Sequence, residues 1–377
     1  MKQYTWLRRE GGDMKGGACP ICLARAEQTM SRRAELNSSS RYRRAAQFAQ
    51  LGSEGQAKIE ASRVLVCGCG ALGSVLAERL ARSGVGHLRL VDRDWVEHSN
   101  LQRQTLFTEE DARLSVPKAI AAASALARIN SDIVIEPLVE DVTYMNIDRI
   151  AADVDLIVDG TDNFETRLLV NDYAVANDVP WVHGGCLGAS GQVMSILPGQ
   201  TACFRCLVPE LPPRDAMPSC DTAGVLGPAI GVIASWQAAE ALKILSGNLE
   251  AVCRQLITID TWNTSCRLLS LESLRASGEC PTCGRREFPF LSGEQSVQAT
   301  VLCGKNAVQL SPIRGAAPLD LVALAERISP LGSIVRNAFL LRVTLAEYEV
   351  TIFRDGRTIV QGTTETAVAR AIVARLM

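Results

Sequence analysis

The run RVLVCGCGALGS, residues 63–74, constrains the fold more than any other stretch of the chain. Val64, Leu65, Val66 and Cys67 are consecutive apolar residues, the mark of a strand covered on both faces. Gly68, Gly70 and Gly73 follow in G-x-G-x-x-G spacing, with Ala71 between them, and Leu72, Val75, Leu76 and Leu80 then recur on one helix face. A strand, a glycine turn and a helix in that order bring backbone amides and the positive end of a helix dipole to a phosphate. Asp92 ends the next strand-like run, HLRLVD (87–92), where a carboxylate accepts hydrogen bonds from ribose hydroxyls. By themselves these residues predict a nucleotide, with NAD or FAD as the default and glycines kept for helix–strand packing as the alternative.

The alternation continues downstream. Pro117 opens a helix to about Ile129, IVIEPL (133–138) and VDLIVDG (154–160) read as strands, a helix starts at Asn163, and PWVHGG (180–185) is a further strand. A helical pattern also runs from Arg41 to about Ile59. Near-continuous apolar strands alternating with helices predict an α/β fold: a Rossmann-like, mostly parallel sheet covered on both faces. After Gly191 the rhythm changes, and QVMSIL, RQLITID and CRLLSL read as antiparallel additions around a long helix over 225–246. Residues 284–296 read as a linker. Beyond it, QATVLC, a helix from Pro318 to Ile328, three strand-like runs between Phe339 and Val360 and a helix from Thr364 predict a small α+β domain over 297–377. Residues 1–39 are rich in breakers and read as a poorly ordered extension, which leaves 40–285 as the nucleotide domain.

The segment HSNLQRQTLF (98–107) is foreign to a dehydrogenase, because it sets Asn100, Gln102, Arg103 and Gln104 close behind the ribose-binding acid. A pyrophosphate linkage is held by backbone amides, whereas a triphosphate under attack needs its moving charge neutralised by side chains. Arg103, Lys118 and Asn100 suit that task. Asp162, in DGTDN (159–163), falls at the carboxyl end of a strand, where a parallel sheet places its ligand and where a carboxylate holds Mg²⁺ against phosphate oxygens. The bland alternative makes Asp162 the N-cap of a 163–178 helix.

The chain has 13 cysteines. Cys203 and Cys206 (CFRC) and Cys280 and Cys283 (CPTC) form two C-x-x-C knuckles, and four thiolates from two knuckles make a closed tetrahedral Zn²⁺ site of structural type. Neither knuckle reads as the start of a thioredoxin-like helix, which disfavours a redox pair. CPIC (19–22) has no partner pair, and Cys67, Cys69, Cys186, Cys253 and Cys266 read as small core residues. Cys220 differs, lying in the Pro-rich PPRDAMPSCDTAG segment.

Charge and hydropathy exclude other classes. The formal net charge is −2, so no bulk attraction to nucleic acid or an anionic membrane is expected, although residues 1–44 carry a local basic excess. The most apolar long run, Ala223 to Leu245, is broken by Gln237, Glu240 and Lys243 and reads as a buried helix rather than a membrane span. With no apolar signal region at the N-terminus, the expected compartment is the reducing cytoplasm, where cysteine pairs bind metal.

The stretches SRYRR, GCGALGS, LVDRDWVEHSNLQRQTLF, VPKA, DGTDNFETR, CFRC, CDTAGVLGP and CPTC together resemble the ThiF/MoeB branch of the ubiquitin-activating, E1-like superfamily over about residues 40–285. The resemblance implies that the glycine loop and Asp92 bind ATP, that Ser99 to Arg103 and Lys118 contact phosphates, and that Asp162 and Asn163 lie beside the metal and nucleotide. It further implies that Arg44 reaches the ATP of a neighbouring subunit, hence a homodimer. Ala71 departs from the pattern, standing where close relatives often carry glycine. Relatives also carry a cysteine at the position of Cys220 that takes the activated acyl group. The implied reaction is adenylylation of the C-terminal glycine of a ubiquitin-like sulfur carrier, of ThiS or MoaD type, feeding thiamine or molybdopterin synthesis. No rhodanese-like appendage is legible, so a separate sulfur donor such as a cysteine desulfurase is expected. A tRNA-threonylcarbamoyladenosine dehydratase-like enzyme, a non-catalytic carrier-binding module and an NAD-dependent oxidoreductase are the rivals.

Overall fold

A computed structural model describes residues 41–211, 223–295, 299–302, 306–310 and 318–377. Chain entry is a short helical turn, Arg43–Ala46, followed by helix α1 (Gly52–Ala61). The single helix expected over 41–59 is thus interrupted at residues 47–51, and the next helix starts at Gly52, whose φ of 64° is left-handed. Strand β1 (Arg63–Cys67), helix α2 (Ala71–Ser83), β2 (His87–Val91), α3 (Lys118–Ile129), β3 (Val134–Leu138), β4 (Leu156–Asp159), α4 (Phe164–Ala176) and β5 (Trp181–Leu187) build the parallel half. Then β6 (Ser190–Ile196), helix α5 (Gly227–Leu245), β7 (Leu256–Asp260) and β8 (Ser265–Leu269) extend the sheet antiparallel.

The resulting order is β3-β2-β1-β4-β5-β6-β7-β8. Pro137, unable to donate to a ladder on its far side, sits on the edge strand β3. The order reverses between β1 and β4, and a doubly wound sheet binds its ligand outside the strand ends at that point. One face of the sheet is covered by α2, α3 and α5, with Val64, Val66, Leu76, Leu80, Ile233 and Ala234 fully buried. The other face buries Leu65, Ile157, Leu168, Trp181 and Phe204. Among the described residues no helix is long and apolar enough to cross a membrane; of the polar interruptions of α5, Gln237 and Glu240 are fully buried, and the partly exposed Lys243 pairs with Glu240 at 2.5 Å.

Two expectations need correction here. Residues 284–295 do not run as a bare linker: Phe290 is 3% exposed, its amide donates to Asp172 Oδ2 at 3.0 Å, and Arg205 lies over its ring. Cys266 is exposed on β8 rather than part of the core.

A second, six-stranded antiparallel sheet follows in the order β11-β12-β13-β14-β10-β9. Its strands are β9 (Ala299–Leu302), β10 (Ala307–Leu310), β11 (Ser333–Arg336), β12 (Leu340–Leu345), β13 (Tyr348–Phe353) and β14 (Thr358–Gln361), with helices α6 (Leu321–Ile328) and α7 (Thr366–Leu376). β10 and β11 were not legible in the sequence, being four residues each and defined by their pairing, β10 with β9 and β14 and β11 with β12. Val308, Leu324, Leu341, Val350 and Ala369 belong to its core.

Candidate functional site

A cavity of about 980 Å³ opens at the point where the strand order reverses. One wall is the glycine turn between β1 and α2. Gly68 sits at φ 88°, and a Cβ there would come 2.8 Å from the Gly160 carbonyl oxygen. Gly73 is tighter, since its Cβ would lie 1.9 Å from the Gly68 carbonyl oxygen. The two loops that follow β1 and β4 are therefore in backbone contact, and only glycine permits it. Gly73→Ala is expected to cost about 1–3 kcal/mol or more by forced overpacking. A urea midpoint equal to that of the native chain would contradict the contact. Gly70 N-caps α2, and Ala71 opens it with ordinary helical backbone, so the methyl that departs from the expected glycine needs no left-handed φ.

Asp92 braces this turn. One carboxylate oxygen accepts the Cys69 amide at 2.7 Å and the other the Asp94 amide at 2.7 Å. Burial pushes its pKa up while Lys118 opposes the rise. Lys118 is buried and pairs with Asp94 at 3.3 Å. Burial alone would lower its pKa, but Asp94, Asp92 and Asp162 together hold it above the usual lysine range, so it is a fixed positive charge. The segment after β2 folds into a 3₁₀ turn, His98–Asn100, closed by a capping box in which Asn100 Oδ1 accepts the Glu97 amide at 3.0 Å. The Ser99 carbonyl in turn receives Arg103 Nη1 at 2.8 Å. Ser99, Asn100, Arg103 and Lys118 all line the cavity.

Asp162 and Asn163 line it from the β4 side. The helix cap is Asn163, whose side chain accepts the Thr166 amide at 2.8 Å, so the exposed Asp162 carboxylate is not the cap. Beneath Asp162 the chain holds a buried charge cluster. Asp159 Oδ1 accepts the Thr161 amide and hydroxyl at 2.9 and 2.7 Å, and Oδ2 meets Arg167 Nε at 3.1 Å and His183 Nδ1 at 2.7 Å. Burial would raise the Asp159 pKa, but Arg167 and the His183 bond hold it below the usual range. Burial also depresses His183, which is fully enclosed, with its Nε2 3.2 Å from the side-chain amide of Gln192.

The four knuckle cysteines converge. Their Sγ atoms all lie within 4.8 Å of one another, with Cys203–Cys206 at 3.9 Å, Cys203–Cys280 at 3.6 Å and Cys206–Cys283 at 3.4 Å. Zn–S bonds of ~2.3 Å in a tetrahedron put sulfurs ~3.8 Å apart, so the donor set and its spacing fit that ion. Cys203 does N-cap a helical turn, Phe204–Leu207, contrary to the sequence reading, but four residues make no thioredoxin helix. Surrounding groups fix the ligands: Asn171 Nδ2 reaches Cys203 Sγ at 3.7 Å, and Thr282 Oγ1 donates to Asp172 Oδ1 at 2.8 Å. Hydrogen bonds within the cluster push Cys203 and Cys206 up and Cys280 and Cys283 down, so the four thiols titrate as one set.

The ThiF family model matches residues 42–283. The chain belongs to the ThiF family. A sulfur carrier protein ThiS adenylyltransferase of Bacillus subtilis (strain 168) is 43% identical over 337 residues, which span 89% of this chain and 98% of that protein. The sulfur carrier protein ThiS adenylyltransferase of Escherichia coli (strain K12) is 39% identical over 245 residues, 65% of this chain and 94% of that one. A crystal structure of E. coli MccB with MccA-N7isoASN superposes with a TM-score of 0.55 at 21% identity, over 68% of this chain and 81% of that one, which speaks to the fold.

In this ThiF-family chain, Arg44 is exposed on the Arg43–Ala46 turn and does not line the cavity. Cys220, Cys19 and Cys22 lie outside the described residues. Among the cavity residues that the sequence reading did not assign to the site are Arg93, Asp94 and Asp141. Arg93 Nη1 pairs with Asp141 Oδ2 at 3.0 Å; burial opposes its charge, but Asp141, Asp94 and Asp162 hold its pKa above the ordinary value. Arg93 and Asp94 directly follow Asp92 in sequence, a signal that was available, whereas Asp141 arrives only through the pairing of β2 with β3.

Proposed function

We propose that this chain adenylylates the C-terminal glycine carboxylate of a ubiquitin-like sulfur carrier of ThiS or MoaD type, using ATP. The observation that carries the reading is the convergence of Arg93, Arg103, Lys118 and Asp162 on one nucleotide-sized cavity in a ThiF-family chain. The carrier carboxylate is ionised at neutral pH, so no general base is needed and the three histidines have no proton to move. One carboxylate oxygen attacks the α-phosphorus of ATP, the bond from that phosphorus to the bridging oxygen breaks, and pyrophosphate leaves with the electron pair. Gly68, Gly70, Ala71, Gly73, Asp92, Ser99, Asn100 and Asn163 would hold the nucleotide, while Arg103 and Lys118 neutralise the departing charge. Mg²⁺ held at Asp162 would add charge neutralisation on the phosphate oxygens. Zn²⁺ at Cys203, Cys206, Cys280 and Cys283 would be structural.

A homodimer would bring Arg44 of one subunit to the ATP of the other, and the exposed apolar Phe48, Val232 and Trp236 offer surface for such an association. Cys220 would act only after adenylylation, trapping the acyl group before water reaches it, with sulfur supplied by a separate donor. The test is ATP–pyrophosphate exchange measured with ThiS-type and MoaD-type carriers in turn. Exchange is expected to depend on one carrier and on its terminal glycine. Exchange that ignores the carrier, or tight NAD⁺ binding without ATP binding, would overturn the reading.

A further inference from the structure

The C-terminal sheet is seated on the underside of the nucleotide site. Trp95, 7% exposed, is shared between the two sheets: it clusters with Ala307, Leu340, Phe353 and Ile359. Its ring lies 5.8 Å from that of Phe353, and the Arg342 guanidinium covers it at 4.9 Å. Trp95 is also bridged to Pro117, and the Val96 amide donates to the Val116 carbonyl at 2.9 Å. Lys118 follows at once, its own amide held by the Asp94 carbonyl at 2.8 Å. Whatever fixes Trp95 therefore fixes the backbone that carries Asp94 and Lys118.

Two polar links cross the same junction. Arg357, 0% exposed, stacks over Phe353 at 3.5 Å and donates through Nη2 to the Arg93 carbonyl. Gln309, 3% exposed, donates through Nε2 to Asp141 Oδ2 at 2.7 Å, and Asp141 is the carboxylate that holds Arg93. Backbone and side chain of Arg93 are thus both secured from the second sheet. A buried arginine is a costly way to make an interface that packing alone would stabilise. One donor, Nη2, crosses to the Arg93 carbonyl, while Nε and Nη1 are buried without a hydrogen-bond partner, and that burial is tolerated where the remaining bond fixes a group that must not move.

We propose that the C-terminal sheet is a positioning element of the nucleotide site, in which Arg357 and Gln309 hold Arg93, Asp141 and the Trp95–Lys118 framework in the phosphate-binding geometry. The identity of the nucleotide rests on the adenylylation reading. The test uses the full chain and Mg·ATP titrated by calorimetry, with thermal melting and pyrophosphate exchange in parallel. Gln309→Glu is near-isosteric and sets a like charge against Asp141. It is expected to weaken Mg·ATP about tenfold or more, the effect of losing one hydrogen bond to a charged group, and to lower the melting temperature because a second carboxylate is buried against Asp141, while the KM for carrier stays unchanged. Arg357→Met is expected to do the same or more, and Arg357→Lys, which keeps the charge without the fork, to recover part of the loss. Unchanged Mg·ATP affinity in Gln309→Glu would overturn the proposal. So would a loss of Mg·ATP affinity in which carrier KM and kcat move in step, the mark of a general loss of folded protein. If Arg357→Met does not fold, Gln309→Glu decides alone. Because the titration needs no carrier, it decides the proposal even when exchange fails with every carrier tried.

Discussion

Asp162→Ala is expected to remove ATP–pyrophosphate exchange, a loss of about 10³-fold or more if the carboxylate holds the metal that neutralises the phosphates. The fold should survive. Asp162 is exposed, and the cap of the following helix is Asn163, so the mutation takes away neither core contact nor helix start. The local electrostatics should change as well, because Asp162 is one of the carboxylates that sustain the charges of Lys118 and Arg93. Arg103→Ala should be milder, at about 10²-fold, the cost of one charge donor in the transition state. Near-wild-type exchange in Asp162→Ala, with ATP still bound, would refute the metal assignment and leave Asp162 a bystander on the cavity rim.

The second large effect is expected at the cysteines. Purified protein should carry one zinc per chain, and Cys206→Ser or Cys283→Ser should lose it together with stability, lowering the melting temperature by about 10 °C or more. The size follows from what the cluster joins. Cys203 and Cys206 follow β6, whereas Cys280 and Cys283 begin the stretch that returns Phe290 to the core beside Asp172. Without an ion, four thiols within 4.8 Å are left crowded, and the two segments lose their clamp. Activity should fall only as folding falls. Metal analysis that finds no zinc would end this claim, and a variant that stays folded, lacks zinc and is inactive would make the metal part of the chemistry.

Much of this was written in local pattern. Four consecutive apolar residues before G-x-G-x-x-G determined a strand, a tight turn and a helix, because each signal lies within a few residues of the next. The parallel half of the sheet followed from repetition of that unit, and the cysteine tetrad from two knuckles whose four thiols could share one ion. Gly73 was placed by spacing, but its reason is tertiary: the Gly68 carbonyl lies where a Cβ would be.

What the sequence could not determine was which distant side chains meet. Asp141 enters the site because β2 and β3 pair in a register that aligns Val91 with Leu138. Phe290 anchors residues 284–295 to the core because Asp172 is there to receive its amide. Arg357 and Gln309, far along the chain from Arg93 and Asp141, reach them only because the second sheet docks on Trp95. Periodicity and spacing encode what a segment buries, since that depends on its own residues. Only the assembled structure decides against what it is buried, because that depends on register and docking between segments that share no local signal.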